Sequence, residues 1–233
     1  REKAAPERAV GSWGHASGIN IAGFDARNNE EYVTMVLASL ISGAGATAHM
    51  DGWHACGPQC CFGALTSGDV EILEYSYPIV IHRYGLVQDS GGAGKYRGGC
   101  ATEWEVEPIG HEMTVISFGE GRKYPSIGAN GARSHMIDSK LARIDLKAGE
   151  KVTETLRKNV VLQIQDGQRV SAINPGGGGW GSPFERDPER VADDVRNGFV
   201  SCEAARKDYG VAVSEEDFSV IADETRQLRA HAI

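Results

Sequence analysis

Glycine sets the first constraint on this chain. It supplies 30 of 233 residues, nearly twice the roughly 7% of an average soluble protein. The glycines come in blocks at 91–99, 119–131 and 176–181. A residue without a Cβ either takes up left-handed turn conformations or lets one backbone approach another. Apolar residues flank each block, which argues against low-complexity disorder. The blocks are therefore expected to be turns between strands. In "DSGGAGKYRGG" (89–99) the expectation is a tight multi-turn with its glycines at positive φ. A phosphate-cradling loop fits poorly there, because G-x-x-x-x-G-K-[ST] requires Gly six residues before Lys95 and a small hydroxyl after it. The chain has Asp89 and Tyr96 at those places. Asp89 repels phosphate, and Tyr96 offers no small hydroxyl to a magnesium ion. "PGGGGWG" (175–181) matches G-x-G-x-x-G in form, but "SPFER" separates it from the next helix start. A rigid turn or a close backbone approach is the better reading.

Charge and hydropathy narrow the function classes. The net charge is −8 and no basic stripe is present, which disfavours nucleic-acid binding. No apolar run approaches the ~20 residues of a membrane span. Three of the five cysteines fall within six residues (Cys56, Cys60, Cys61), with Cys100 and Cys202 elsewhere. An odd, clustered set points to a reducing cytoplasm rather than a disulfide framework. The chain opens Arg1-Glu2-Lys3, with neither methionine nor a signal-peptide pattern, and is expected to be a fragment of something longer.

The fold class expected is α+β: a β-hairpin-rich middle, a helix near the N-terminus and two or three short C-terminal helices. "EYVTMVLASLIS" (31–42) carries helical apolar spacing. Residues 43–69 form a long irregular segment, a length that is usually functional or buried against a partner. "VEILEYSYPIVIHRYGLV" (70–87) is β-branched and aromatic with a proline break. "CATEWEVEPI" alternates strictly, with Glu103, Glu105 and Glu107 on one face and Thr102, Trp104 and Val106 on the other. "EMTVISFG" and "ARIDLKAGEKV" are further strand candidates, and "NVVLQIQDGQRVSAI" reads as strand, Asp-Gly turn, strand. Asp187-Pro188 starts one helix, Ser201 caps a second that stops at Gly210, and a Ser214-x-x-Asp217 capping box opens a third. The expected division is 1–185, a β-rich portion, and 186–233, a helical segment of the same domain.

Candidate chemistry lies in three places. "HMDGWHACGPQCC" (49–61) offers His49, Asp51, His54, Cys56, Cys60 and Cys61. His54, Cys56, Cys60 and Cys61 are soft or borderline ligands, but no second C-x₂-C pair or H-x₃-H follows. Small cysteines packed in a loop are the plainer reading, and a cysteine nucleophile assisted by His54 is a further one. Asp69, Glu71 and Glu74 are carboxylates in an otherwise apolar stretch, with Glu71 two residues from Asp69 on one strand face. They serve either as a solvated face or as acid/base groups partnered by Arg83 or Arg97. Asp89, Lys95 and Arg97 are charges inside the glycine loop that a plain turn leaves unexplained. The candidate site residues are thus Asp51, His54, Glu71, Glu74 and Arg97.

Three blocks, in this order, carry a resemblance: "EILEYSYPIVIHRYGLVQDSGGAGKYRGG", "PSIGANGA" and "NPGGGGWGSPFERDPERVADDVRNGFVSCEAARKDYGV". From about Gly43 onward the chain resembles the C-terminal part of the hydantoinase B/oxoprolinase family. That family includes B-type subunits of ATP-dependent hydantoinases and 5-oxoprolinases, and subunits of acetone and acetophenone carboxylases. The resemblance implies ATP and Mg on a separate A-type subunit with an actin-like ATPase fold. It implies a divalent metal, where the family carries one, in an N-terminal half that this chain lacks. The partners implied are that half, the A-type subunit and a small-molecule substrate. Residues here would support a site rather than complete it. Arg97 would pair with Asp89, Glu71 or Glu74 and fix the glycine loop. Two departures leave cyclic amide and ketone substrates both open. Ser67-Gly68-Asp69-Val70-Glu71 stands where many hydantoinase-type members have Asn-x-Pro-x-Glu, and "HACGPQCC" is not a general feature of the family.

Overall fold

The computed structural model describes residues 3–14, 17–57, 64–65, 67–119, 125–134, 140–145, 152–155 and 160–230. Two antiparallel sheets dominate them. The first has the order β2-β1-β5-β8, from Glu30–Val36, Ser17–Asp25, Met113–Gly119 and Val160–Ile164. The second has the order β3-β4-β9-β6-β7, from Ile79–Leu86, Thr102–Pro108, Gln168–Ile173, Lys140–Asp145 and Val152–Thr155. One apolar core joins them: Ile19, Ile21, Val115 and Ile164 from the first sheet, Trp104, Val106, Leu141 and Val170 from the second. The strict alternation of β4 puts Trp104 and Val106 in this core and turns Glu103, Glu105 and Glu107 outward. That is the period-2 logic of a strand with one buried face.

The helices are α1 (Val70–Ser76), α2 (Pro188–Arg196), α3 (Cys202–Tyr209) and α4 (Ala222–Ala230). The mixed α+β class holds. The Asp187 carboxylate caps α2 by accepting from the Glu189 amide, and the Ser201 hydroxyl caps α3 by accepting from the Ala204 amide. Gly198 and Gly210 end these helices at φ 74° and 63°, the left-handed stop that glycine takes without steric cost. Val191, Val195, Ala205, Tyr209 and Val211 form a second core, against which Ala93 of the glycine loop packs.

Four local expectations are corrected. Residues 31–42 are not a helix: β2 runs to Val36 and a 3₁₀ turn follows at Leu37–Leu40. Tyr32 and Val36 point in while Val33 and Met35 point out, so the operative period is 2, favoured by pairing with β1. The first half of the 70–87 stretch is helical. α1 ends because Pro78 forces Tyr77 to extended backbone (φ −130°, ψ 148°), and β3 begins there. Asp69 therefore sits at a helix N-cap position, not across a strand face from Glu71. The Asp166-Gly167 turn forms, with Gly167 at φ 78°, but its strands do not pair with each other. β8 joins β5 in the first sheet, and β9 joins β4 and β6 in the second. The turn is a corner between sheets, tied to the β4–β5 corner by the Gly110 amide donating to Asp166. Finally, Ser214 opens a turn rather than a helix. Asp217 accepts from Ser219, Val213 bridges Val220, and α4 starts eight residues beyond Ser214, a local side-chain bond winning over helix propagation.

The glycine blocks differ most from expectation. No glycine between 91 and 99, nor between 176 and 179, has a positive φ; Asp89, at φ 59°, is the residue that does. These glycines serve close approach instead. A Cβ on Gly177 would lie 1.9 Å from the Ala44 carbonyl oxygen, on Gly45 1.8 Å from Gly11 O, and on Gly99 2.0 Å from Trp53 O. Gly98 and Gly178 are equally closed, at 2.1 Å from Gly177 O and Ile127 O. Backbone amides cross-link the same segments: Gly92 donates to Gly177 O, Gly177 to Gly99 O, Gly99 to Ala44 O, Ala46 to Gly178 O and Gly178 to Ser12 O. Segments 11–14, 43–46, 91–99 and 176–179 thus form a third core made of backbone. Every real Cβ needs more than 3 Å from such atoms, so no side chain fits. Gly177→Ala is expected to destabilise the chain by about 3 kcal/mol or more through overpacking. Gly68→Ala, where nothing lies within 4 Å, is expected to stay within about 0.5 kcal/mol of the parent. Denaturant unfolding midpoints of the two variants check the contrast.

Candidate functional site

The backbone core sets three side chains from distant parts of the sequence against one another. Asp51 follows the turn closed by the Thr47 amide and the Met50 carbonyl. Arg97 leaves the glycine loop just before Gly98 and Gly99, whose amides donate to Gly92 O and Ala44 O. Arg186 follows the 3₁₀ turn Pro183–Glu185, next to the α2 cap. The Asp51 carboxylate receives four donors. Oδ1 accepts from the Arg97 amide at 2.7 Å and Arg186 Nη1 at 2.7 Å; Oδ2 accepts from Arg186 Nη2 at 2.9 Å and Arg190 Nη2 at 2.8 Å. A carboxylate has about four lone-pair directions, and all are taken. Asp194, on the buried face of α2, bridges the two buried guanidinium groups, from Arg186 at 2.7 Å and Arg97 at 3.3 Å. Arg186 is 1% exposed and Arg97 4%, so removing either aspartate strands a buried charge.

His54 lies beside this lock. Its Nδ1 accepts from the Cys100 amide at 3.0 Å, its ring packs against Phe199 with centroids 4.2 Å apart and planes tilted by 34°, and Arg97 Nη2 is 3.2 Å from Nε2. Burial first, then the Arg97 charge, pushes its pKa down to about 4 from 6.5, so the imidazole is neutral at physiological pH. Burial raises the Asp51 pKa, but the Arg186 hydrogen bonds and charge, with Arg97, outweigh it and hold the carboxyl below the usual range. Burial raises the Cys100 and Tyr209 pKa values, keeping both groups protonated.

The structure thus brings Asp51, His54 and Arg97 together. It does not bring Glu71 or Glu74 to them. Both lie on α1, where Glu71 is exposed and Glu74 accepts from the Ile81 amide at 2.7 Å. Glu74 lines a separate cavity of about 340 Å³ with Asp25, Arg27, Tyr77 and His111. Arg97 pairs with Asp194 and not with Asp89, Glu71 or Glu74 as expected; Asp89 accepts from the Ser201 amide instead. Arg83 pairs with Glu103. Cys56 is buried, bridges Ser42 through its backbone, and has its thiol pKa raised by burial. Cys60 and Cys61 lie outside the described residues. Among the described residues, no group of three or more His, Cys, Asp or Glu side chains could hold a metal ion. No described helix is long and apolar enough to cross a membrane. Sequence reading missed Arg186, Arg190 and Asp194. The available signal was Asp194 itself, a carboxylate between Val191 and Val195 on the apolar face of α2, which requires a cation opposite it.

The Gly92, Gly98, Gly99, Lys95 and Tyr96 amides all donate to backbone carbonyls, and Lys95 Nζ faces Glu185 at 3.7 Å.

Known proteins share this architecture. The family model described as hydantoinase B/oxoprolinase matches residues 1–183. The caprolactamase subunit beta of Pseudomonas jessenii is 58% identical over 213 residues, 91% of this chain and 37% of that subunit. The crystal structure of the ATP-dependent caprolactamase from Pseudomonas jessenii superposes with a TM-score of 0.85 at 50% identity, covering 98% of this chain and 40% of the other. The acetone carboxylase alpha subunit of Xanthobacter autotrophicus is 31% identical over 204 residues, 74% of this chain and 26% of that subunit. The chain therefore spans between a quarter and two fifths of the length of these relatives.

Two outcomes test the lock. Asp51→Asn is expected to cost about 3 kcal/mol by leaving the two buried guanidinium groups of Arg97 and Arg186 with Asp194 as their shared carboxylate, whereas Glu71→Gln is expected to be neutral within about 0.5 kcal/mol; urea unfolding reads both. As pH falls below 6.5 the unfolded chain protonates His54, while the folded chain resists down to about 4. Stability is present above pH 6.5 and drains away over that window, by about 1–2 kcal/mol after allowance for partial solvent contact. His54→Asn is expected to flatten this part of the stability–pH curve, with the loss from Asp51 remaining at lower pH.

Proposed function

This chain belongs to the hydantoinase B/oxoprolinase family, and from that membership we propose that it forms the C-terminal part of the B-type subunit of an ATP-dependent cyclic-amide hydrolase. The substrate class is a hydantoin, 5-oxoproline or lactam, with the lactam favoured. The observation that carries the reading is the 58% identity to a caprolactamase subunit, against 31% to a ketone carboxylase subunit over a shorter share of the chain. The working enzyme pairs this subunit with an A-type ATPase subunit that holds ATP and Mg, in a reducing cytoplasm. A divalent metal, where one is used, belongs to other parts of the B-type subunit. In this scheme the amide oxygen would attack the γ-phosphorus of ATP and release ADP, and water would then add at the activated amide carbon, so that the C–N bond breaks, the ring opens and phosphate is released.

Within that scheme, residues 1–185 and 186–233 act as one domain, and their shared task is positional. A phosphorylated intermediate requires a wall that excludes bulk water. Segment 43–57 supplies such a wall. It is held to the backbone core by the Gly52 amide donating to Arg97 O and the Ala44 amide to Trp53 O, and to α2 by Asp51 pairing with Arg190 and, through Arg186, with Asp194. Asp51, Arg97 and Arg186 are positioning residues in this reading. His54 is a neutral imidazole that helps fix the same loop.

Reconstitution of the complete B-type subunit with its A-type partner tests the proposal. ATP consumption is expected to rise with lactams and related cyclic amides and to stay at background with ketone plus bicarbonate. The reverse pattern makes the protein a ketone carboxylase. Arg186→Lys, which keeps the charge and loses the bidentate fork, is expected to lower coupled turnover about tenfold while the A and B subunits still co-elute. Loss of co-elution instead identifies the region as an assembly module.

A further inference from the structure

The two sheets have opposite outer faces. The outer face of the second sheet is an ion-pair lattice. Glu103 pairs with Arg83, Glu105 and Glu107 with Arg169, and His82 with Glu107. The outer face of the first sheet is apolar. Strand register places Met35 beside Asn20, Asn20 beside Ile116 and Ile116 beside Val161, one row crossing all four strands. Phe118 and Val33 flank that row, and Val33 is 78%, Val161 64% and Ile116 43% exposed. The polar members are few, and Asn20 lies within the row itself. Thr114 and Gln163 bond to each other at 3.0 Å, and Glu31 sits at one end opposite Phe24.

Antiparallel sheets facing water alternate apolar and polar residues, as β4 does; strands apolar on both faces belong to sheets covered on both. A contiguous exposed apolar face on a monomer marks an interaction site. Its near-absence of charge matches a permanent contact, in which the interface resembles a core cut in half, and not a transient one. A permanent partner is at hand, because the relatives carry well over half their length outside the region matched here.

We propose that the outer face of the β2-β1-β5-β8 sheet is the seat of the remainder of the B-type subunit polypeptide, packed against Val33, Met35, Ile116, Phe118 and Val161. The proposal rests on family membership and not on the substrate, so a ketone-using enzyme leaves it standing. Cysteine accessibility in the complete B-type subunit, without the A-type partner, tests it. Val33→Cys and Val161→Cys are expected to react with a polar maleimide at least about tenfold more slowly than Arg83→Cys on the opposite sheet, each rate normalised to that in urea and read by peptide mass. Hydroxyl-radical oxidation of Met35 and Phe118 in the unsubstituted subunit is expected to be equally suppressed, and needs no variant. Reaction at the Arg83→Cys rate in the isolated subunit overturns the proposal. So does protection that appears only when the A-type subunit is added, or only as concentration rises, which would make the occupant the A-type subunit or a second copy.

Discussion

Backbone packed on backbone is the constraint on which the rest of this structure depends. Segments 11–14, 43–46, 91–99 and 176–179 approach so closely that a methyl group on Gly45, Gly177 or Gly99 would sit within about 2 Å of a carbonyl oxygen. The cost of glycine is entropic, on the order of 0.5–1 kcal/mol per residue relative to alanine. It is offset here because each ordered amide finds a carbonyl on a neighbouring segment, and a buried amide left unpaired costs more than that. The side chains that leave this core are held by a frame with no rotamers of its own.

Two charged residues depend directly on that frame. The Arg97 amide and guanidinium point to different aspartates, Asp51 and Asp194. Only a chain fixed on both sides of Arg97 can satisfy both. Arg186 then closes the ring by bridging the same two carboxylates. Buried ion pairs of this kind contribute little net stability compared with a well-packed apolar alternative, but they punish every other arrangement. The lock therefore selects one placement of segment 43–57 and α2 relative to the glycine core. In the functional scheme, that selection is this region's contribution to a dry site.

Some of this was legible in the sequence. The alternation of "TEWEVEP", the Asp187-Pro188 helix start and the Ser201 and Gly210 caps declare themselves, because each is a local rule acting over a few residues. Asp51, His54 and Arg97 were suspect for their settings, a dense polar loop and a charge among glycines. Their partners were not legible: Arg186 and Asp194 lie more than a hundred residues from Asp51 in the chain, and no local pattern couples them. Segment 31–42 misled because Tyr32, Val36 and Leu40 fit a 3.6 period as well as the real strand fits a period of 2. The glycine blocks misled more instructively. Glycine permits positive φ and permits contact, and only the surroundings decide which permission is used.

One structure thus relates two kinds of surface to one task. The interior backbone core and charge lock fix the loops, and the apolar outer face of the first sheet is the surface proposed to seat the rest of the subunit. The most direct test of the central claim is amide hydrogen exchange at Gly92, Gly98, Gly99, Gly177 and Gly178. Although none lies in a strand or helix, these amides are predicted to exchange as slowly as those of β4 and β9, opening only with global unfolding. Exchange at the rate of an ordinary surface loop would show that the glycine segments move independently, and would contradict the claim that they are the core on which the site is built.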